Sequence, residues 1–332
     1  MKAAVIGSGG WGTALALQLL KNGHRVSLWS HNEEKARQME KSRENPMLKG
    51  VELPDELHIT GDAACVQDCD LVVIACPSVH IRSVCAQVAK YIPAKAVIAS
   101  ATKGIEFESL KRMSQIAQEI TGKTTVALTG PSHAEEVARG IPTGLLAASP
   151  NKQLAEFVQD AFMSDTLRVY TSPDVVGAEL GGALKNVIAL CAGVIEGLGY
   201  GDNTGAMLAT RGLTEIARLG VALGAQKETF AGLAGIGDLI VTCTSQHSRN
   251  RRAGVLIGKG ATAEAAMEQV GAVVEGYYAA RSAMALAKRC QVEMPITAAA
   301  YAVLYEGVPV EQVVHELLLR QRRPESEDAG WL

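Results

Sequence analysis

The stretch from Lys2 to Gly12 reads KAAVIGSGGWG, and it decides the fold. A compact apolar run comes first, and Gly7, Gly9 and Gly12 follow it in the spacing G-x-G-x-x-G before a helical pattern begins. Glycines in this context permit a tight turn and let a pyrophosphate approach the helix N-terminus, where free N–H groups and the helix dipole favour anions. The stretch therefore predicts a dinucleotide-binding βαβ unit.

Outward from this turn, short β-type runs alternate with helical patterns, which favours a parallel, doubly wound sheet. The predicted strands are Lys2–Ile6, Arg25–Trp29, Asp70–Cys76, Val97–Ser100, Thr125–Leu128 and Gly144–Ala148. After about Asp174 the pattern is almost wholly helical and rich in Ala, Leu and Gly. We predict an α/β protein with a Rossmann-type domain in residues 1–180 and an all-α substrate domain in residues 181–332.

Composition narrows the class of protein. The chain has 332 residues, 48% of them hydrophobic, with a formal net charge of −3 and interspersed charges, so a general affinity for nucleic acid is not expected. Its seven cysteines lack metal-ligand spacing and are typical of reduced thiols. No uninterrupted apolar run approaches the ~20 residues of a membrane span. We expect a soluble, cytoplasmic protein without a metal.

The second predicted strand bears on the choice of cofactor. It ends in LWSHN, with no acidic residue until Glu33, whereas NAD-specific sites usually place an Asp or Glu there for the ribose 2′-hydroxyl. The missing carboxylate removes repulsion of a 2′-phosphate, and His31, with Lys35 or Arg37 nearby, could contact one. We predict that NADP and NADPH are accepted, with NAD and NADH as the second cofactor pair. The alternative is that His31 only caps a loop.

Three segments concentrate polar groups in apolar surroundings: SATKG (100–104), GPSHAE (130–135) and GGALKN (181–186). The first two follow strands directly, and the carboxyl ends of strands face the ligand crevice in open α/β sheets, so Lys103 should point towards the site. Lys185 interrupts an almost entirely apolar helical stretch. It must either reach water or be held at a buried cleft.

Two later segments add a carboxylate and a basic loop. In GIGDL (235–239), Asp238 lies in an apolar turn bracketed by glycines, and SQHSRNRR (245–252) is locally basic. Ser, Arg and Asn in sequence can surround a phosphate with hydroxyl, guanidinium and amide donors. A solvated loop is the alternative, and the loop is too short and too poor in aromatics to indicate RNA or DNA binding.

These residues together resemble the bacterial NAD(P)-dependent glycerol-3-phosphate dehydrogenases from end to end. The resemblance rests on GSGGWGT (7–13), ATKGIE (101–106), GPSHAE (130–135), GALKNV (182–187), AGIGDL (234–239), HSRN (247–250) and VEG (274–276). It implies interconversion of dihydroxyacetone phosphate and sn-glycerol 3-phosphate, in support of glycerophospholipid synthesis. We expect a homodimer, although the Ala- and Gly-rich helices could also pack within one chain.

The resemblance also implies roles for individual residues. Lys185 is similar to the proton acceptor for alcohol oxidation and donor for ketone reduction, and Lys103 to a lysine that touches both substrate and cofactor. The remaining substrate contacts implied are Gly130, Ser132, Asp238, Ser248, Arg249 and Asn250. The cofactor contacts implied are Gly10, Trp11, His31, Ala134, Arg249, Val273 and Glu275, beside Gly7, Gly9 and Gly12.

Two rival functions remain at this point. Other two-domain dehydrogenases, such as hydroxyacyl-CoA or 6-phosphogluconate types, share the first half, but the HSRN loop and the GALKN segment favour a small phosphorylated ketone. A non-catalytic NADPH sensor would have no need for Lys185 and Asp238 inside apolar segments. Without the resemblance, the residues support a dehydrogenase for a small anionic carbonyl compound.

Overall fold

The computed structural model describes residues 1–322, 324 and 325, and within them the first half forms one eight-stranded sheet. The strands are β1 (Lys2–Ile6), β2 (Arg25–Trp29), β3 (His58–Thr60), β4 (Leu71–Ile74), β5 (Val97–Ser100), β6 (Thr125–Thr129), β7 (Thr143–Ala148) and β8 (Leu167–Ser172). Their order is β3-β2-β1-β4-β5-β6-β7-β8, and every neighbouring pair is parallel except β6 with β7. The predicted α/β fold with a doubly wound parallel sheet is confirmed, except that one pair of strands is antiparallel.

Six helices belong to this first half. They are α1 (Gly10–Lys21), α2 (Glu33–Ser42), α3 (Ile81–Ala89), α4 (Met113–Thr121), α5 (Ala134–Ala138) and α6 (Lys152–Phe162). Apolar clusters lie on both faces of the sheet, one including Leu15, Leu19 and Phe162, the other Val88 and Ile116. Burial on both faces explains why the central strands are continuous apolar runs.

The antiparallel pairing of β6 with β7 departs from the parallel order expected for every strand. A parallel connection must return the chain along the whole strand, about 17 Å for five residues. The intervening helix α5 has only five residues and a length of about 7.5 Å. The chain therefore turns back after α5 and enters β7 in the opposite direction.

The second half is helical, as predicted. Its helices are α7 (Val175–Gly197), α8 (Asp202–Ala222), α9 (Asp238–Thr244), α10 (Arg249–Gly258), α11 (Ala263–Val270), α12 (Glu275–Cys290), α13 (Pro295–Tyr305) and α14 (Val310–Leu318). The predicted boundary at residue 180 falls inside the continuous helix α7 and stays a prediction. Residues 323 and 326–332 of the predicted second domain lie outside the described residues.

Helix α7 is the core of this half. Every residue from Gly177 to Leu190 is buried, and α8, α9, α10 and α12 pack around the helix. By length and composition alone, it is apolar enough to cross a membrane, with a mean hydropathy of 1.5 over its most apolar window, although charged residues interrupt the apolar run, in agreement with the sequence. Because 83% of that window is buried inside the protein, its apolar surface is used in packing.

Candidate active site

The turn after β1 requires glycine at two positions. Gly7 has φ +130°, and a Cβ there would lie 2.5 Å from the carbonyl oxygen of Ala75. A Cβ on Gly12 would collide with the carbonyl oxygen of Gly7. Gly9, the residue that precedes α1, has open space where a side chain would be. The first amides of α1 therefore lie next to open space that suits an anion.

Two further predicted cofactor contacts lie at this turn. A Cβ on Gly10 would lie 3.6 Å from the Cβ of Ala134, the first residue of α5. The indole Nε1 of Trp11 is buried without a hydrogen-bond partner among the described residues. An unpartnered buried donor in the first turn of α1 is an arrangement in which a ligand can complete the hydrogen bonding.

At the end of β2, His31 is exposed and Asn32 caps α2 by accepting a hydrogen bond from the backbone N–H of Lys35 (2.9 Å). The two basic residues predicted to lie nearby differ in their contacts. The Lys35 ammonium donates to the carbonyl oxygen of Ser8 in the glycine turn (3.2 Å), whereas Arg37 pairs with Glu33 on α2.

Two lysines and one carboxylate meet at the carboxyl ends of the central strands. Lys103 follows β5, Lys185 lies in α7 and Asp238 begins α9. The Lys103 Nζ lies 2.7 Å from Asp238 Oδ2, and the Lys185 ammonium donates to Asp238 Oδ1. Asp238 is fully buried and Lys185 is 6% exposed, so Lys185 is held at a buried cleft.

The segment after β6 joins the same cluster. The Lys103 Nζ donates to the carbonyl oxygen of Gly130 (2.9 Å) and to the hydroxyl of Ser132 (3.4 Å). Three segments that are distant in sequence thus converge on one ammonium group. The segments after β5 and β6 meet because strand ends gather in a doubly wound sheet, whereas Asp238 comes from the helical half.

Thr242, which sequence reasoning missed, completes the contacts of Lys185. Its Oγ1 accepts a hydrogen bond from the Lys185 ammonium (2.6 Å) and donates one to the backbone carbonyl of Asp238 (2.6 Å). The spacing in the sequence could have indicated Thr242, since a residue four positions after Asp238 lies on the same face of a helix.

The charge state of Lys185 is shifted by its surroundings. Burial lowers the pKa of its ammonium to about 7; Asp238 opposes the shift and the nearby Lys103 adds to it. Burial also lowers the pKa of His133, and the charge of Lys185 contributes to that shift. A lysine in this state can give or take a proton near neutral pH.

The predicted basic loop, residues 248–250, is built into the start of α10. Ser248 caps the helix by accepting from the backbone N–H of Arg251 (3.2 Å). The Asn250 side chain donates to Asn186 Oδ1 (2.9 Å) and accepts from the backbone N–H of Gly276 (2.8 Å). Arg249, between them, is exposed. The Ser248 hydroxyl and the Asn250 amide thus fix the backbone on both sides of Arg249, and with it the position from which the guanidinium extends.

Glu275, at the start of α12, connects the two halves of the chain. Its carboxylate accepts hydrogen bonds from the backbone N–H (3.0 Å) and the hydroxyl (2.5 Å) of Ser78, which follows β4. Burial raises the pKa of Glu275. Val273, another predicted cofactor contact, lies two residues earlier and is half-buried. Sequence reasoning did not identify Ser78, since its partner is 197 positions away.

No group of three or more His, Cys, Asp or Glu side chains is arranged to hold a metal ion in the part of the chain that the structure describes.

Comparison with known proteins gives matches over nearly the whole chain. Residues 2–155 match the family model for the N-terminus of NAD-dependent glycerol-3-phosphate dehydrogenase, and residues 174–315 match the model for its C-terminus. Two similar relatives are named glycerol-3-phosphate dehydrogenase (NAD(P)+). The one from Desulfitobacterium hafniense is 48% identical and the alignment covers 99% of this chain and 94% of the relative. The one from Pelotomaculum thermopropionicum is 50% identical, with coverage of 99% and 96%.

A solved structure agrees with these matches. The crystal structure of glycerol-3-phosphate dehydrogenase from Coxiella burnetii superposes with a TM-score of 0.92 at 36% sequence identity. The superposition covers 96% of this chain and 99% of that one.

Proposed function

The chain belongs to the family of NAD-dependent glycerol-3-phosphate dehydrogenases, and from that membership we propose that it interconverts dihydroxyacetone phosphate and sn-glycerol 3-phosphate with NADP(H) or NAD(H). The observation that carries the proposal is the pair of lysines on Asp238. With both lysines protonated, two ammonium groups and one carboxylate have a net charge of +1. This charge suits a phosphorylated substrate whose carbonyl oxygen becomes negative during reduction.

The glycine turn fits a dinucleotide, because Gly7 and Gly12 let the backbone close tightly, the space beside Gly9 is open and Trp11 in the first turn of α1 has an unpartnered donor. Gly9, Gly10 and the first turn of α1 would hold the pyrophosphate, and His31, Ala134, Val273 and Glu275 are proposed as further contacts. When bound, the nicotinamide gives a hydride to the ketone carbon or accepts one from the alcohol.

Lys185 is proposed as the catalytic acid and base. Its ammonium donates a hydrogen bond and then a proton to the carbonyl oxygen during reduction, and the neutral amine takes that proton back during oxidation. Asp238 and Thr242 hold the Lys185 amine in place. Lys103 stabilises charge on the substrate from the strand side, together with Gly130 and Ser132.

The phosphate of the substrate is assigned to the start of α10. Arg249 extends from the first turn of this ten-residue helix, where backbone N–H groups and the helix dipole also favour an anion. Ser248 and Asn250 support the guanidinium through the cap and through the contacts to α7 and α12. The phosphate and the reacting carbon would then be held by different elements.

The test is an assay of NADPH absorbance with dihydroxyacetone phosphate. We expect oxidation that depends on the ketone, and a loss of about 10²- to 10⁴-fold in kcat for Lys185→Met, the usual worth of a general acid. Lys152→Met, at an exposed position on α6, is the matched control and should retain activity. Turnover with a different anionic carbonyl compound and none with dihydroxyacetone phosphate would favour the alternative, another dehydrogenase of the same fold.

We also propose that the protein works in the cytoplasm as a homodimer and supplies glycerol 3-phosphate for glycerophospholipid synthesis. We propose that each chain has two domains, residues 1–180 and 181–332. In support of a cytoplasmic location, α7, the helix among the described residues that is long and apolar enough for a membrane span, is covered inside the chain, as in a protein that works in water. Light scattering of the purified protein at several concentrations tests the dimer. A mass of one chain, 35.0 kDa, at all of them would exclude it.

A further inference from the structure

Lys35 is a half-buried cation without a counter-charge. Its Nζ donates to the carbonyl oxygen of Ser8 (3.2 Å) and lies 3.7 Å from the sulfur of Met47. Within residues 1–322, 324 and 325, no carboxylate forms an ion pair with it. Burial lowers the pKa of Lys35, as expected for an ammonium that has lost water and gained no anion. An anion bound here would relieve that cost.

The position of this ammonium relative to the glycine turn is fixed by three elements. Lys35 lies in the first turn of α2, which Asn32 caps directly after β2. The segment after α2 folds against the turn, with Asn45 Nδ2 donating to the same Ser8 carbonyl (3.2 Å) and Met47 O beside Gly10. Lys35 therefore lies between the end of β2 and the glycine turn.

In a Rossmann unit this is the place of the adenosine ribose, whose 2′ substituent distinguishes NADPH from NADH. NAD-specific sites have a carboxylate here, but in this chain Ser30 is buried, His31 is exposed and the Asn32 side chain is occupied in capping α2. The residues at the end of β2 therefore present no anion to repel a 2′-phosphate.

Arg37, the other basic candidate on α2, has a different environment. Its guanidinium pairs with Glu33 one turn earlier, and both side chains are 69% exposed. An arginine already paired and in water has little to gain from a second anion. The two cations are only two positions apart in the sequence, so the sequence does not show that Lys35 is half-buried with no ion pair among the described residues while Arg37 is paired and exposed. The structure shows this difference.

We propose that Lys35 binds the 2′-phosphate of NADP(H) and thereby sets the preference for this cofactor over NAD(H). The proposal deepens the proposed function and rests on it only in taking the bound dinucleotide to be a nicotinamide nucleotide. Lys35 adds a charge-assisted contact that NAD(H) cannot make, because its ribose carries a neutral hydroxyl there.

Calorimetry with two fragments of the cofactors tests the proposal without any turnover. The fragments are 2′,5′-ADP, which carries the 2′-phosphate, and 5′-AMP, which lacks it, and intact NADP and NAD are titrated beside them. Lys35→Met should weaken 2′,5′-ADP and NADP by about 10- to 100-fold, the worth of one hydrogen bond to a charged group. Binding of 5′-AMP and NAD should not change, which also shows that the variant is folded. Lys35→Arg should retain most of the preference.

Arg37→Met is the matched control and should bind all four ligands as the wild type does. Equal losses for both fragments in Lys35→Met would place Lys35 at the pyrophosphate or in support of the turn and overturn the proposal. A selective loss of 2′,5′-ADP in Arg37→Met and not in Lys35→Met would assign the phosphate to Arg37 and also overturn it. If the chain binds these ligands as expected but does not reduce dihydroxyacetone phosphate, only the proposed function fails.

Discussion

At the scale of single residues, the pKa of Lys185 determines how the activity of the enzyme should depend on pH. Ketone reduction requires the ammonium, so kcat/KM for reduction should fall as pH rises through the pKa of about 7. Oxidation of the alcohol requires the neutral amine, so its kcat/KM should rise over the same range. The measurement is kcat/KM against pH in both directions, since kcat/KM follows groups in the free enzyme.

Lys103 supplies the internal check on that assignment, because its charge lowers the pKa of Lys185. Lys103→Met should move the midpoint of both profiles to higher pH, whatever its effect on the maximal rate. A profile that is flat in the wild type, or a midpoint that does not move in the variant, would be inconsistent with Lys185 as the titrating group.

Arg249 should act mainly on substrate binding. Arg249→Ala removes the guanidinium assigned to the phosphate, and one lost charge-assisted hydrogen bond should raise the KM for dihydroxyacetone phosphate by about 10- to 100-fold. Arg251→Ala is the control, since that guanidinium is 2.8 Å from Glu196 on α7 and is used in a surface ion pair. A KM unchanged by Arg249→Ala would place the phosphate elsewhere.

Sequence reasoning identified the charged residues of the site better than the residues that hold them. Lys103, Lys185 and Asp238 stood out because each is a charge in an apolar segment. Thr242 and Ser78 are ordinary polar residues whose importance depends on which elements pack together. Which partner each lysine would have was equally hidden, because the contact between α7 and α9 leaves no periodic pattern in the sequence.

At the scale of elements, α7 and α10 cross with their backbones in contact. A Cβ on Gly254 of α10 would collide with the carbonyl oxygen of Leu190, and one on Gly193 of α7 with that of Arg251. Glycine at these positions permits an approach closer than side chains allow. The crossing matters to the site because α7 carries Lys185 and α10 carries Arg249.

Gly254→Ala should therefore force the helices apart and lower the free energy of unfolding by about 1–3 kcal/mol, the usual cost of overpacking. Gly205→Ala, in an open position of α8, should be neutral or stabilise by up to about 1 kcal/mol because alanine favours the helix. Thermal unfolding of both variants is the measurement. If Gly254→Ala had the same free energy of unfolding as Gly205→Ala, the contact between α7 and α10 would be loose enough to accept a side chain.

The elements that sequence reasoning missed are those with weak patterns. Strand β3 has three residues, and β8 alternates between buried and exposed positions at the edge of the sheet. The direction of β7 depended on the length of α5, which the sequence pattern did not reveal. The long apolar segment that forms α7 and the apolar runs that form β1 and β4, by contrast, were assigned to the correct type of element, whereas α2 was missed and the start of α10 was taken for a loop.

At the scale of the whole molecule, burial protects the thiols. It raises the pKa of Cys65, Cys76, Cys85, Cys191 and Cys243 to about 12 and that of Cys69 to about 11. Since the thiolate is the reactive form, these six should resist iodoacetamide at neutral pH in the folded protein and react once it unfolds. Intact-mass analysis with and without denaturant measures this. Rapid labelling of any of the six in native protein would contradict it.

How the two halves meet was not predictable from the sequence. The contact between Ser78 and Glu275 joins the loop after β4 to the start of α12, and neither segment has a pattern that points to the other. Local patterns predicted both halves, because each strand or helix is specified within 3 to 23 neighbouring residues. Their juxtaposition depends on side-chain contacts across 197 positions.

The apolar helix α7 has a consequence for synthesis on the ribosome. The helices that cover it, α8, α9, α10 and α12, all follow it in the sequence, so the nascent chain exposes the helix until α12 has emerged from the exit tunnel. A growing chain with an uncovered apolar segment is prone to aggregate and is a target for chaperones. Translation that stops before Glu275 therefore leaves a fragment in which α7 is only partly covered and still exposes apolar surface that promotes aggregation.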